Sequence, residues 1–535
     1  MADSEYLRPK FHFTPDSGWM NDPNGLIYEA ETGEYHMFFQ YCPTLNEVPE
    51  KWWGHAVSKD LFHWTELAPA ICPDELGGAW SGCCVSDADN TSGLFGCGCG
   101  EDRRSGSGAG SGAGVGNMSR LVALYTAAGT HPVYNYQKQA AAYSVDHGVM
   151  WRKYSGNPLI ASRPGDQPSF DNRDPSVFRF DFPDGKGGLR QRWVMMVAGM
   201  WARLFVSDDL LHWDFCGDVF KKDGSHLESE CPDLFRMNVN GDPAKPVWVY
   251  SGAGRFFVVG RLEAHADGSV GFSVDSDQIE INMGSDVMYA AQTFNDVPDG
   301  RRIFIYWMVD KSALRLAEQG FQKSWDGFQS LPMEAALTER RGQYRLGMRP
   351  VSEFFTAVRR KTLESGRVNS PGTVFTRVAP GSFELKLEIP RGQCRSLSLE
   401  GLGEFAYRID IQEDGSVSID GGRAVQMAFS ETEDGENVCG MCRDNSCGPL
   451  EMLIVRDGAC LDIFSGSGSH AHALVLPKGP GSTRNDEESG GARTELIVLS
   501  VQTTGDADAD AAECNALSGV FAEGAFVEYQ LNELI

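Results

Sequence analysis

The distribution of apolar and polar positions predicts strands along nearly the whole chain. From about residue 8 to residue 345, short runs of β-branched and aromatic residues alternate with clusters of Gly, Asp, Asn and Pro, a pattern that is typical of strands joined by turns. Residues 26–28 and 35–39, separated by Glu31-Thr32-Gly33, form a clear predicted hairpin. Strand patterns resume after a connector. Because 535 residues are too many for one ordinary domain, we predict an all-β protein with a domain at 8–345, a linker at 346–364 and a second all-β domain at 365–535.

An internal repeat indicates how the first domain is organised. The segment 58–64 (SKDLFHW) recurs at 207–213 (SDDLLHW), with a looser copy at 144–151. Repeats at this spacing, with insertions, are typical of β-propeller blades. Innermost strands of a propeller converge on a central funnel, where side chains distant in sequence meet. The repeat predicts a propeller but does not fix the number of blades.

Composition and charge exclude several classes of partner. Apolar residues make up 41% of the chain, and the longest uncharged apolar run, 193–202, is well short of the roughly 20 residues of a membrane helix. The net charge of −27 repels phosphate backbones and anionic lipids. It therefore argues against nucleic-acid and membrane partners and favours a neutral small molecule. The first residues, MADSEY, lack the basic and apolar regions of a signal peptide, so we expect a cytoplasmic location.

The cysteines and one low-complexity segment are interpreted as structural features. Fourteen cysteines without a signal sequence are expected to be reduced thiols. Cys97 with Cys99, and Cys439 with Cys442 and Cys447, invite a zinc interpretation, but neither group has a histidine or a regularly spaced second half. We expect no metal. The Gly- and Ser-rich segment 96–116 predicts a flexible surface insertion, with a lid as the alternative.

Three acids next to prolines are the candidate catalytic residues. Asp22 lies in Asn21-Asp22-Pro23-Asn24-Gly25, which predicts a tight turn; Asp174 precedes Pro175; and Glu230 stands two residues before Pro232. Proline restricts the backbone on both sides of itself, so each carboxylate is held in a fixed orientation. One nucleophile and one proton donor are the minimal equipment for breaking a glycosidic bond, and a third carboxylate stabilises the charge that develops on the sugar. The pattern therefore indicates a glycosidase.

The motifs WMNDPNG, RDP and EC, in this order, are similar to the three signature motifs of glycoside hydrolase family 32, the invertase, inulinase and levanase family. The segments 39–43, 53–58, 80–82, 90–95, 289–294 and 329–332 also resemble blocks of this family. The resemblance implies a five-bladed β-propeller followed by a β-sandwich, and no cofactor. It also implies Asp22 as the nucleophile, Glu230 as the acid/base and Asp174 as the stabiliser of the transition state. The implied substrate-binding residues are Asn21, Gln40, Trp53, Trp80, Ser81, Arg173 and Asp286.

This resemblance predicts a retaining β-fructosidase. If Asp22 and Glu230 stand about 5 to 5.5 Å apart, no water fits between carboxyl group and sugar, and displacement is double. Glu230 then has to be protonated near neutral pH, which requires burial or the negative charges of Asp22 and Asp174.

Departures from the family pattern leave the substrate open. Val48-Pro49 replaces a usual Trp-Gly pair, the acid before Tyr289 is displaced to Asp286, and Met333 replaces a usual Arg. Sucrose, fructo-oligosaccharides and fructans are candidate substrates. The alternatives are a fructosyltransferase, a sucrose-6-phosphate hydrolase and a fructan-binding sensor without catalysis. The sequence does not decide between exo and endo attack, nor between a monomer and a homo-oligomer.

Overall fold

The computed structural model describes residues 2–3, 8–45, 50–96, 119–129, 136–161, 172–199, 201–227, 230–281, 288–309 and 321–366, and beyond them the strands given below. These residues form strands, two 3₁₀ turns at Val239–Gly241 and Pro298–Gly300, and one π-helical turn at Phe354–Val358. The prediction of an all-β protein is confirmed. No helix in the described part of the chain is long and apolar enough to cross a bilayer.

Five antiparallel sheets form the first domain, and each is called a blade here and numbered in chain order. From the inner strand outward, the strands of blade 1 are Gly18–Glu29, Glu34–Cys42, Trp52–Ser58 and Thr65–Ile71, and those of blade 2 are Gly78–Ser86, Leu121–Ala128, Gln137–Ser144 and Arg152–Lys153. The strands of blade 3 are Asn172–Pro183, Leu189–Gly199, Arg203–Ser207 and Asp214–Asp218, and those of blade 4 are Pro232–Asn238, Pro246–Gly252, Phe256–Ala264 and Val270–Val274, with Ile279–Glu280 beside the third. The strands of blade 5 are Met288–Thr293, Ile303–Met308, Met333–Arg340 and Gln343–Pro350, with Phe328–Gln329 beside the second.

The five blades close into a ring. Each inner strand contacts the inner strand of the next blade, and that of blade 5 contacts that of blade 1. The short strand Trp325–Asp326 pairs in parallel with Gly18 and Trp19 of blade 1, while Ala2–Asp3 pairs with Phe321–Gln322. The five-bladed propeller implied by the family resemblance is confirmed. Inner strands pack on both faces, so the first strand of blade 1 is buried almost throughout instead of alternating.

The internal repeat marks the turn between the third and fourth strands of blades 1, 2 and 3. In all three copies the serine hydroxyl donates to the aspartate two residues later, as Ser58 does to Asp60 at 3.2 Å. The closing tryptophan donates its indole N–H to a main-chain carbonyl three residues earlier, at 2.8 to 2.9 Å. The repeated Ser, Asp and Trp positions therefore encode the same turn, with one extra residue in the copy at 144–151, and the prediction of repeated blades is confirmed.

The second domain contains two six-stranded antiparallel sheets, an arrangement consistent with the predicted β-sandwich. The strands of the first sheet, in sheet order, are Arg359–Gly366, Phe526–Leu531, Ser382–Ile389, Leu450–Asp457, Cys460–Ser465 and His470–Leu474. The strands of the second sheet are Val374–Pro380, Thr494–Gln502, Ser396–Leu402, Tyr407–Gln412, Ser416–Ile419 and Val425–Gln426. The last propeller strand ends at Pro350 and the next strand begins at Arg359, so regular structure covers both ends of the predicted linker 346–364. The domain boundaries themselves stay a prediction.

A buried histidine joins the two domains. His12 Nδ1 lies 2.9 Å from Oδ2 of Asp457, and its Nε2 lies 3.0 Å from Asp462. The Asp457 carboxylate also accepts the main-chain N–H groups of Lys10, Phe11 and His12. Burial lowers the pKa of His12, but the charges and hydrogen bonds of Asp462 and Asp457 outweigh it and raise the pKa to about 9.

We expect this junction to weaken in mildly alkaline solution. Because the pKa of His12 is higher in the folded state, its stabilisation is complete below about pH 6.5 and is lost as the pH rises through about 9. The melting temperature is therefore expected to fall by several degrees between about pH 7 and pH 10. His12→Gln is expected to melt lower at pH 7 and to show a shallower decline, as measured by calorimetry. Parallel pH profiles of the two proteins would contradict this prediction.

Candidate active site

The three predicted catalytic acids lie at the beginning of inner strands of different blades. Asp22 belongs to the inner strand of blade 1 and Asp174 to that of blade 3. Glu230 stands two residues before Pro232, where the inner strand of blade 4 begins. Since the inner strands surround one axis, residues separated by up to 208 positions meet at one end of the central channel, as the propeller prediction requires.

The local conformation around Asp22 differs from the prediction. Residues 21–25 were expected to form a tight turn, and this expectation is wrong, because they lie within the strand Gly18–Glu29. The pairing of this strand with the next shifts between Met20 and Pro23 and again between Asn24 and Ile27. Pro23 lacks an N–H for a regular ladder, and Gly25 has φ 54°, so the strand bulges instead of reversing.

Similar bulges occur in blades 2, 3 and 5 at the same end of the channel. The pairing shifts between Trp80 and Gly82, between Arg173 and Ser176, and between Tyr289 and Gln292. Asp174, inside the second of these bulges, has φ 61°. A bulge redirects a side chain that a regular strand would place against the neighbouring blade. The bulges therefore position Ser81, Asp174 and Asp22 at the site.

The Asp22 carboxylate is held by donors from two other blades. Ser81 Oγ donates to its Oδ2 at 2.7 Å, and Cys231 Sγ donates to the same oxygen at 3.6 Å. Burial raises the pKa of Asp22, whereas the positive charge of Lys51 and these two hydrogen bonds lower it. Lys51 Nζ lies over the rings of Trp19 and Trp80, at 5.1 and 5.6 Å from their centroids. The charge of Lys51 and the hydrogen bonds from Ser81 and Cys231 favour the ionised form of Asp22, which a nucleophile needs.

Asp174 is buried beside the same cysteine. Its Oδ2 accepts the main-chain N–H of Cys231 at 2.9 Å and lies 3.6 Å from the Cys231 thiol. Its own N–H donates to Thr126 Oγ1 at 2.8 Å. Burial raises the pKa of Asp174 to about 6, with Arg173 opposing and Asp22 adding to the shift. One thiol thus lies between the carboxylates of Asp22 and Asp174, and burial raises its own pKa well above the ordinary value.

Glu230 is the most accessible of the three acids. Its side chain is 42% exposed, its Oε1 accepts from Arg173, and its Oε2 accepts from the Tyr289 hydroxyl. Of the two ways in which Glu230 was expected to stay protonated, burial or the charges of Asp22 and Asp174, burial does not apply at this exposure. Asp22 and Asp174 lie within electrostatic range of Glu230, and Arg173 is bonded to it with the opposite charge.

Two residues expected to contact substrate are fully buried in this structure. Trp53 is fully buried and donates its indole N–H to the main-chain oxygen of Trp80 at 2.9 Å. A Cβ on Gly25 would lie 2.9 Å from the Trp53 ring, so this ring supports the Asp22 strand from behind. Gln40, 1% exposed, donates to Ala79 O at 2.9 Å. Both residues thus support the site in this structure.

The other predicted binding residues are distributed as follows. Asn21 is buried, and its side-chain oxygen has no hydrogen-bond partner among the described residues. Arg173 lies between Glu230 and Asp174, whose Oδ2 is 3.8 Å from its Nε, and Trp80 is partly exposed. Asp286, Val48-Pro49, the segment 97–118 and the two cysteine clusters considered for zinc lie outside the described residues. Among the residues that the structure describes, no group of three or more His, Cys, Asp or Glu is arranged to hold a metal.

Four residues at the site were not predicted to be functional. Cys231, Tyr289 and Thr126 contact the acids, and Lys51 acts on Asp22 through its charge. Cys231 and Tyr289 were detectable, because one is adjacent to Glu230 and the other belongs to a block that resembles the family. No sequence signal indicated Thr126 or Lys51.

Comparison with known proteins shows the family to which this chain belongs. Residues 12–350 match the family model for the glycosyl hydrolases family 32 N-terminal domain. A levanase of Bacillus subtilis (strain 168) is 35% identical over 66% of this chain and 49% of its own length, and a levanase of Bacillus sp. (strain L7) is 29% identical over 93% of the chain and 52% of its own length. This chain belongs to glycoside hydrolase family 32.

The solved structures agree on the fold. An exo-inulinase from Aspergillus awamori superimposes with a TM-score of 0.70 at 22% identity, covering 98% of both chains. A fructofuranosidase from Schwanniomyces occidentalis gives the same TM-score and identity over 99% of both chains. The chain spans about half the length of the two levanases.

Proposed function

We propose that the protein is a retaining β-fructofuranosidase that releases terminal fructosyl units from sucrose or fructans. The observation that carries this proposal is the convergence of Asp22, Asp174 and Glu230 from three blades at one end of the channel, with Cys231 between the first two. Two carboxyl groups with different surroundings, one hydrogen-bonded by Ser81 and one partly exposed, suit the separate tasks of nucleophile and proton donor. The names of the levanase relatives support fructosides as the substrate class.

In the proposed mechanism the carboxylate of Asp22 attacks the anomeric carbon of fructose, and Glu230 protonates the departing glycosidic oxygen. This step forms the bond between Asp22 and the sugar and breaks the glycosidic bond. Glu230, now ionised, then removes a proton from water, and the hydroxide formed displaces Asp22. The Asp174 carboxylate accepts hydrogen bonds from the fructose hydroxyls, because an ionised carboxylate is an acceptor and a hydroxyl group can donate to it. The protein's own carboxylates carry each step.

Sucrose 6-phosphate is a second candidate substrate because of Lys51. The chain carries a net charge of −27, yet this ammonium group lies over Trp19 and Trp80 beside Asp22. A local cation outweighs the repulsion of distant acidic groups for a phosphate at the site. A cytoplasmic location, which would suit a phosphorylated sugar, is also a proposal.

A panel of substrates tests the function. The purified protein is offered sucrose, sucrose 6-phosphate, inulin and levan, and the products are resolved by chromatography. Free fructose is expected from at least one of them, and fructose is expected to be released first as the β-anomer in an NMR time course. Transferred trisaccharide at high sucrose would indicate a fructosyltransferase. Tight binding of fructans without any turnover would contradict an enzymatic function and support a sensor.

A further inference from the structure

A second cavity lies at the other end of the propeller channel. Its volume is about 710 Å³, and it is lined mainly by blades 3 and 4. In the inner strand of blade 3, Arg179 of the cavity follows Asp174 by five residues, which corresponds to roughly 16 Å along a strand. Asn295, which also lines the cavity, joins the inner strands of blades 2 and 3, since its side-chain amide donates to Cys84 O at 2.9 Å and to Val177 O at 3.5 Å. None of the three acids lines this cavity, so a ligand bound there is separate from the catalytic carboxylates.

One wall of the cavity is an aromatic surface centred on Trp248. Phe178 and Phe180 pack on the indole with ring centroids 5.0 and 5.6 Å away, at interplanar angles of 38° and 79°. The two rings fix the orientation of Trp248, which stays partly exposed. A rigid aromatic surface with one accessible part binds apolar groups at a small cost in conformational entropy. The C–H groups of a sugar ring are such groups.

The polar groups of the cavity carry both signs of charge. Arg179 forms an ion pair with Asp89 at 3.2 Å and lies 4.0 Å from the Trp193 centroid. Arg236 and Asp181, of opposite charge, are both exposed at the rim. Because carboxylates accompany the arginines, the cavity is not dominated by positive charge and does not favour a simple anion.

Arg302 supplies a buried donor at the same cavity. Its guanidinium donates to Thr293 Oγ1 at 3.2 Å, while its Nε has no hydrogen-bond partner among the described residues. The guanidinium groups of the cavity donate hydrogen bonds, and its carboxylates accept them. This combination matches the adjacent hydroxyl groups of a neutral sugar, each of which both donates and accepts. An aromatic surface together with such groups is the chemistry of a carbohydrate site.

We propose that this cavity binds a neutral carbohydrate chain and that its ligand is a fructan. The choice of fructan rests on the proposed function, whereas the choice of a carbohydrate rests on the cavity. A polymer bound at this end of the channel stays close to the protein while its chain ends are cleaved at the other, which raises their effective concentration at the active site. Binding at this cavity thus favours the cleavage of polymeric substrates over the cleavage of sucrose.

Native gel electrophoresis with inulin in the gel tests this proposal. The full chain with Asp22→Asn serves as the parent, so that the polymer is not degraded, and Trp248→Ala and Arg236→Ala are added to it separately. Inulin is expected to retard the parent, and each added substitution is expected to raise the apparent Kd roughly fivefold or more. In the otherwise wild-type protein, the same two substitutions are expected to leave kcat/KM for sucrose within about twofold. Dextran, a glucan, is the control polymer.

The outcomes separate this proposal from the proposed function. Unchanged retardation in both variants would overturn the cavity proposal, even if the wild type hydrolyses sucrose and inulin. Retardation that depends on Trp248 and Arg236 in a protein that hydrolyses no fructoside would keep the cavity and refute the enzyme. If Trp248→Ala lowers the melting temperature, Arg236→Ala at the exposed rim decides alone.

Discussion

Asp22→Ala is expected to lower kcat for sucrose by about 10⁴-fold or more, because no other group can form the bond to the anomeric carbon. The carboxylate is the only one at the described site that receives hydrogen bonds from both Ser81 and Cys231, so its removal is not compensated by a neighbour. Initial rates of fructose release measure the effect. Asp22→Asn, which keeps the shape of the side chain, is expected to be equally impaired.

Although Asp22→Asn is expected to abolish activity, it is not expected to lower the stability of the folded protein. Burial raises the pKa of Asp22, which means that its ionised form costs folding free energy at neutral pH, and removing the charge relieves this cost. Asp22→Asn should therefore melt at or above the wild-type temperature. Asp209→Asn is a matched control, since hydrogen bonds lower the pKa of Asp209 in the repeat turn of blade 3 despite partial burial. This control should melt lower and keep its kcat. An inactive Asp22→Asn that is also unfolded would leave no support for a role in chemistry.

The sequence was sufficient to predict the fold and to single out three acids that the structure brings to one site. The repeat at 58–64 and 207–213 corresponds to the same hydrogen-bonded turn in blades 1 and 3, and local chemistry of this kind is readable from spacing. The number of blades came only from the family resemblance, because ring closure depends on packing between inner strands. The turn predicted at 21–25 failed for a related reason, since the same Pro and Gly residues serve a bulge once the strand 34–42 is paired alongside.

Contacts between distant segments were beyond sequence reasoning. The direction of Lys51 is set by the rings of Trp19 and Trp80, and His12 meets Asp457 across 445 positions of the chain. Neither contact leaves a periodic or local pattern. The burial of Trp53, which was expected to line the sugar pocket, has the same origin, because it depends on how the blades pack against one another. Sequence thus predicted the candidate catalytic acids but not the surroundings that influence their charge.

Glu230→Gln is expected to lower kcat for sucrose by roughly 10³-fold, since an amide can neither protonate the leaving oxygen nor activate water. The loss should be much smaller for the formation of the fructosyl-enzyme from an activated aryl fructoside, whose leaving group needs little protonation. Glu263→Gln, a partly exposed glutamate of blade 4, is the control and should retain full activity. Equal losses on sucrose and on the aryl fructoside would remove Glu230 from the role of proton donor.

The same variant tests the identity of the nucleophile and the retaining mechanism together. Without Glu230 the second step is slow, because no base remains to activate water at Asp22. An aryl fructoside should therefore load the enzyme faster than water clears it, and mass spectrometry of the quenched protein should find one added fructosyl group on the peptide that contains Asp22. Azide, a small anion that needs no general base, should release the sugar and restore turnover. A variant that accumulates no adduct and does not respond to azide would instead support direct attack by water, with inversion of configuration.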